Sequence, residues 1–166
     1  GSWLREQILD KSEFEFCVKQ NNFKEKEFQS TIKHLPTKQQ CLILAMKKTE
    51  NIKLSKGDII IGADTVAFMK DTKKIFHKPT SHEQAIKFCM KQNGKNIIII
   101  TGFYIKTFDE QVFSGYSTSE NAYVKFTEKT IQNLMINDEF IIRNAALGFY
   151  SDSPGFTLVK SIKGSY

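Results

Sequence analysis

Ile59-Ile60-Ile61-Gly62-Ala63-Asp64 constrains this chain more than any other segment. Three consecutive isoleucines followed by two small residues have strand chemistry, and the run predicts a buried strand over Ile59–Ala63. The acidic residue that follows is informative. Open α/β sheets build their ligand crevices at the carboxyl ends of strands, and Asp64 is expected at such an end. There it could hold a divalent cation or deprotonate a water. A carboxylate capping a turn is the plainer alternative.

The remaining segments alternate between the two secondary-structure periods. Trp3, Leu4, Ile8 and Leu9 suit one side of a short helix, and Phe14, Phe16 and Val18 alternate as a strand would. Lys19 to Thr31 is polar with isolated aromatics and predicts irregular chain. Thr37-Lys-Gln-Gln40 fits a capping box ahead of the stripe Leu42, Ile43, Ala45 and Met46. A hairpin is predicted around Lys70 to Lys74, and a second capped helix from Ser81, with Gln84 three residues on. Asn93-Gly94 breaks the chain before a long strand over Asn96–Lys106. A further strand over Ala122–Phe126, a helix capped by Thr127 and a last strand over Phe156–Ile162 complete the reading. The class is α/β, with a mixed central sheet flanked by helices.

Length sets one domain, residues 1–166. The longest pure apolar run, Ile97 to Ile100, is too short to cross a bilayer, and no signal-peptide pattern opens the chain. Cys17, Cys41 and Cys89 lack metal-ligand spacing and read as small buried hydrophobes in a reducing compartment, so a cytoplasmic location is expected. The net charge of +6 favours an anionic partner. The lysines are scattered singly and in short pairs, without a basic stripe, so no stable nucleic-acid complex and no membrane partner are expected.

Other candidates are individually weak. Lys78-Pro79 stands at the entrance to the Ser81 helix, where a lysine adds positive charge to a region suited to phosphate. Lys48 sits near a helix end, where a cation is also favoured by the macrodipole. Arg5 lies on the first helix and has an equally plain reading as a surface residue. His34, His77 and His82 lack the spacing of a metal site on one element, and a solvated role is the better reading of His77. No Walker loop, dinucleotide fingerprint or serine-nucleophile elbow is present. Gly94 and Gly102 suit a turn and a close-packing position.

Taken in order, these segments resemble the Maf family, whose fold is similar to that of the inosine triphosphatases. The resemblance runs through Ser2-Trp3-Leu4-Arg5 before Ile8-Leu9, then Glu25, Ala45-Met46-Lys47-Lys48 and Gly62-Ala63-Asp64-Thr65-Val66. Lys78-Pro79, Thr101-Gly102 and Ile162-Lys163-Gly164-Ser165-Tyr166 follow. Its specific parts are the Gly-Ala-Asp-Thr-Val block and the distance from it to Lys78-Pro79.

The resemblance implies a nucleoside triphosphate pyrophosphatase that releases pyrophosphate from non-adenine nucleotides, pyrimidine or modified. Asp64 would be the proton acceptor or a metal ligand, and Glu25 the second carboxylate. Arg5, Lys48 and Lys78 would bind phosphate, Thr65 would bear on substrate choice, and the cofactor would be a divalent cation, Mg²⁺ by its taste for oxygen ligands. A homodimer is a further expectation. The chain departs from the family at Leu4, where an arginine is usual, at Trp3 in place of proline, and at Ala145 and Asp152, which align with a loop lysine and glutamine. The family's opening strand has no counterpart before Ser2, so an exposed strand edge is expected. A degenerate relative that binds nucleotide or protein without efficient turnover is the alternative these departures favour.

Overall fold

A computed structural model describes residues 3–137 and 154–165. Helices α1 (Trp3–Asp10), α2 (Glu25–Ile32) and α3 (Thr37–Lys47) precede the first strand, β1 (Ile59–Met69). Then come β2 (Ile75–Phe76), α4 (His82–Gln92), β3 (Asn96–Thr107), β4 (Val112–Tyr123) and α5 (Glu128–Asn137). A 3-10 turn (Pro154–Leu158) leads into β5 (Val159–Gly164). The five strands form one sheet in the order β2-β1-β3-β4-β5. The expected α/β class holds, with helices flanking a central sheet. Every pairing among the described residues is antiparallel.

The two faces of the sheet carry different helices. Alternate residues of a strand point to opposite sides. On one side α3 lies across β1 and β3, burying Cys41, Leu44 and Ala45 completely, and Ile100 is buried on this side. On the other side Ala67 and Ile97 join Ala85 and Cys89 of α4, Ile131 and Met135 of α5, and Phe126 in a second core. The isoleucine run does form a strand, but Ile59 and Ile61 remain 61% and 56% exposed. Their side chains point to the second face, and the core of that face begins only near Ala67. No helix among the described residues is long and apolar enough to cross a membrane.

Several boundaries differ from the sequence expectation, each for a physical reason. Phe14–Val18 is not a strand: Phe14, Phe16 and Val18 are all exposed and no neighbouring strand pairs with them. The stretch read as irregular contains α2, whose Phe28 and Ile32 stand one turn apart and whose first turn carries Glu25 and Glu27. Pro36 occupies the N-cap of α3 and, having no polar side-chain atom, makes no capping bond, while Gln40 donates to the Leu35 carbonyl at 2.7 Å. The strand read at Ala122–Phe126 starts earlier and stops at Tyr123. Beyond it Asn93 grips the backbone of Phe126 at both its N–H (2.9 Å) and carbonyl (2.7 Å). Phe156–Leu158 belongs to the 3-10 turn, so the last strand begins at Val159. The expected hairpin and the Ser81 cap are present. Met69 and Lys74 pair through their backbones at 3.0 Å, and the Ser81 hydroxyl accepts from the Gln84 N–H at 3.2 Å.

Candidate active site

Two glycines bring α3 down onto the sheet. A Cβ at Gly102 would stand 2.6 Å from both the carbonyl oxygen of Cys41 and the backbone nitrogen of Leu42. A Cβ at Gly62 would stand 2.6 Å from the Thr49 methyl and closer still to the Ala45 carbonyl oxygen. Backbone atoms cannot move aside as a side-chain tip can, so only glycine admits this approach. Gly102 is the β3 partner of Asp64. The close crossing therefore delivers the C-terminal end of α3 to the carboxylate of Asp64.

Asp64 itself is mid-strand, not at a strand end, since β1 runs on to Met69. It is 8% exposed and takes a hydrogen bond from Lys48 Nζ at 2.5 Å. Lys48 is the C-cap of α3, a position where the helix carbonyls favour a cation. Its ammonium also lies 3.0 Å from Glu25 Oε2, on the first residue of α2. One lysine thus joins the two carboxylates that sequence reasoning singled out.

Arg5 approaches from α1 and reaches β1 on the side away from β3. Its Nη1 donates to the Ala63 carbonyl at 2.8 Å, and its Nη2 donates to Thr65 Oγ1 at 3.0 Å. Burial pulls the guanidinium down from its ordinary value, and the negative charges of Asp64 and then Glu25 oppose that shift. Thr65 points to the opposite face from Asp64, as consecutive strand residues must. There its hydroxyl shares a 2.9 Å hydrogen bond with that of Thr101. Sequence reasoning assigned Thr101 no role; its place directly across from Thr65 in β3 is what connects it to Arg5.

The Cys41 thiol lies under the same crossing, 3.7 Å from the Ile100 carbonyl. Burial, followed by the charge of Asp64, pushes it up to about 11. Lys78 is exposed and makes no hydrogen bond or ion pair among the described residues. The β1–β2 ladder ends at the Ala67–Phe76 pair, two residues before Lys78. Ala145 and Asp152 lie outside the described residues. Arg5, Glu25, Lys48, Asp64 and Thr65 are thereby gathered at one stretch of β1.

The sequence profile of the family described as Maf-like protein matches residues 1–166. The chain belongs to the Maf family. Among relatives of this Maf chain, the dTTP/UTP pyrophosphatase of Thermosipho africanus is 33% identical over 118 residues, 68% of this chain and 56% of the relative. The 7-methyl-GTP pyrophosphatase of Vibrio parahaemolyticus is 27% identical over 122 residues, 73% of this chain and 61% of the relative. The dTTP/UTP pyrophosphatase of Dehalococcoides mccartyi is 29% identical over 163 residues, 98% of this chain and 70% of the relative. The chain spans less than two-thirds of the length of the first two relatives.

Proposed function

We propose that this Maf chain hydrolyses nucleoside triphosphates between the α- and β-phosphates, yielding a nucleoside monophosphate and pyrophosphate. The observation that carries the reading is the cluster in which Lys48 bridges Asp64 and Glu25 while Arg5 stands beside them. The names of the relatives add non-adenine bases, pyrimidine or modified, as the substrate class.

In this reading a water attacks the α-phosphorus and Asp64 takes its proton. The bond to the bridging oxygen breaks, and pyrophosphate departs with the electron pair. Arg5 and Lys48 neutralise the charge that gathers on the leaving phosphates, and Lys78 adds a third cation from the β2–α4 connection. Thr65 and Asp152 bear on the choice of base.

A hard divalent cation fits the donor set in part. Asp64 and Glu25 both present carboxylate oxygens to one point, occupied by the Lys48 ammonium. The described residues hold no group of three or more His, Cys, Asp or Glu side chains that could cage an ion. Mg²⁺ would accordingly be held by these two carboxylates, with phosphate and water oxygens completing its shell. Bound there, it would polarise phosphoryl oxygens and acidify water.

The test is pyrophosphate release from a panel of nucleoside triphosphates with Mg²⁺. Asp64→Asn should lower the rate about 10²- to 10⁴-fold, the range for loss of a general base. A folded chain that releases no pyrophosphate from any nucleotide would refute the reading and leave a relative that only binds.

A further inference from the structure

The place between Asp64 and Glu25 is taken by this protein's own cation. Lys48 Nζ lies 2.5 Å from Asp64 Oδ1 and 3.0 Å from Glu25 Oε2. The two carboxylates come from β1 and α2, and Lys48 at the C-cap of α3 pairs with both. Arg5, which donates to the Ala63 carbonyl and to Thr65 Oγ1 on either side of Asp64 in the chain, brings a second positive charge. Two cations and two anions therefore balance inside one cluster.

That balance has a consequence for ligand entry. A divalent cation arriving alone would have to displace Lys48 from both carboxylates and would then stand beside two positive side chains. Repulsion at such distances is strongest at the Asp64 side, where the side chain is 11% exposed, and is softened at Glu25, which is 44% exposed. A polyphosphate changes the situation, because its oxygens offer Lys48 and Arg5 new anionic partners. The Lys48 side chain is 27% exposed and rides on a flexible stem at the end of α3, so it can swing without disturbing the helix.

We propose that Lys48 keeps divalent cations off the Asp64–Glu25 pair until a polyphosphate draws its ammonium away, so that metal and nucleotide enter together. The proposal rests on the hydrolase reading for its ligand, while its test requires no turnover.

Mn²⁺ serves as the probe, with the free ion followed by electron paramagnetic resonance. The wild-type chain alone should bind Mn²⁺ weakly. Lys48→Met should tighten that binding by about tenfold or more, the effect of removing one adjacent positive charge. Lys48→Gln, which keeps a polar side chain, should do the same, and circular dichroism would check that both variants are folded. Adding Asp64→Asn to Lys48→Met should abolish the gain, which places the ion. In the wild type, an α,β-methylene nucleoside triphosphate should restore tight Mn²⁺ binding that Asp64→Asn weakens. Equal Mn²⁺ affinity in wild type and both Lys48 variants would overturn the proposal, whether that shared affinity is tight or absent. Failure of the hydrolase reading would show separately, as no pyrophosphate release from the wild type.

Discussion

Cys41 and Gly102 meet backbone to backbone: the Cys41 carbonyl oxygen would stand 2.6 Å from any Cβ placed on Gly102. Gly102→Ala must therefore lift α3 or bend β3, and overpacking of this kind costs about 1–3 kcal/mol. A lower urea midpoint with an unchanged slope is the expected signature. Gly115→Ala is the comparison, because the Cβ there would meet only the Phe103 ring, at 3.0 Å and beyond. Equal losses at the two positions would show that α3 is not seated on Gly102.

Arg5 uses its fork, not merely its charge. It donates to Ala63 O and Thr65 Oγ1 through two different nitrogens. Arg5→Lys keeps the charge but cannot reproduce both bonds. Charge-assisted hydrogen bonds contribute about 1.5–3 kcal/mol, so in the proposed hydrolysis kcat/KM should fall roughly ten- to hundredfold. Steady-state kinetics of Arg5→Lys and Arg5→Ala would check this, and a lysine variant as active as wild type would refute the geometric role.

The three cysteines should separate by reactivity. Cys17 is exposed, whereas Cys41 and Cys89 are buried, with thiols pushed by burial up to about 11 and about 12. The expectation of three buried thiols thus fails at Cys17. A thiol reagent at pH 8 should modify one cysteine in the native chain and all three after denaturation. Rapid native labelling of Cys41 would mean that α3 leaves the sheet readily.

Glu120 gives a pH signature. Lys70 Nζ donates to both its carboxylate oxygens at 2.8 and 2.7 Å, and Asn96 Nδ2 donates at 2.6 Å. Lys70 is the chief cause that holds the Glu120 carboxyl below 4.5, with Asn96 adding to it. A carboxyl lowered on folding contributes its stabilisation fully above the unfolded value and loses it as pH falls through the folded one. Carboxyl carbon NMR should place the Glu120 midpoint below 4.5 and show it moving upward in Lys70→Met. An unmoved midpoint would show that the ion pair does not persist in solution.

The proximity of Arg5, Glu25, Lys48 and Asp64 was more legible in the sequence than the boundaries of the elements that carry them. Local periodicity placed these four on separate elements, and only the resemblance grouped them. In space the close crossing of α3 over Gly62 and Gly102 brings Lys48 to Asp64 and Glu25. The strand reading at Phe14–Val18 failed since alternation alone does not provide a neighbouring strand. The helix at Glu25–Ile32 was missed because its apolar stripe is only Phe28 and Ile32, too thin to outweigh polar surroundings. Asp64 was expected at a strand end because the apolar run Ile59–Ala63 stops at its charge. Here Gly62 serves the crossing of α3, and the strand continues through Val66 and Ala67 into the second core. Thr101 entered only within the Thr101-Gly102 pair that carries the resemblance, because its bond to Thr65 exists only through cross-strand register.

The shortness of β2 acquires meaning from this arrangement. It covers β1 only at Ala67 and Phe68, leaving the margin from Ile59 to Thr65 without a neighbouring strand among the described residues. Asp64 faces one side of the sheet, Thr65 the other, and Arg5 stands at the rim between them. A molecule that touches both side chains must therefore wrap round the rim like a hand over a railing. A hairpin two residues longer would pair with β1 at Val66 and Thr65 and lay a strand against the rim where Arg5 now stands.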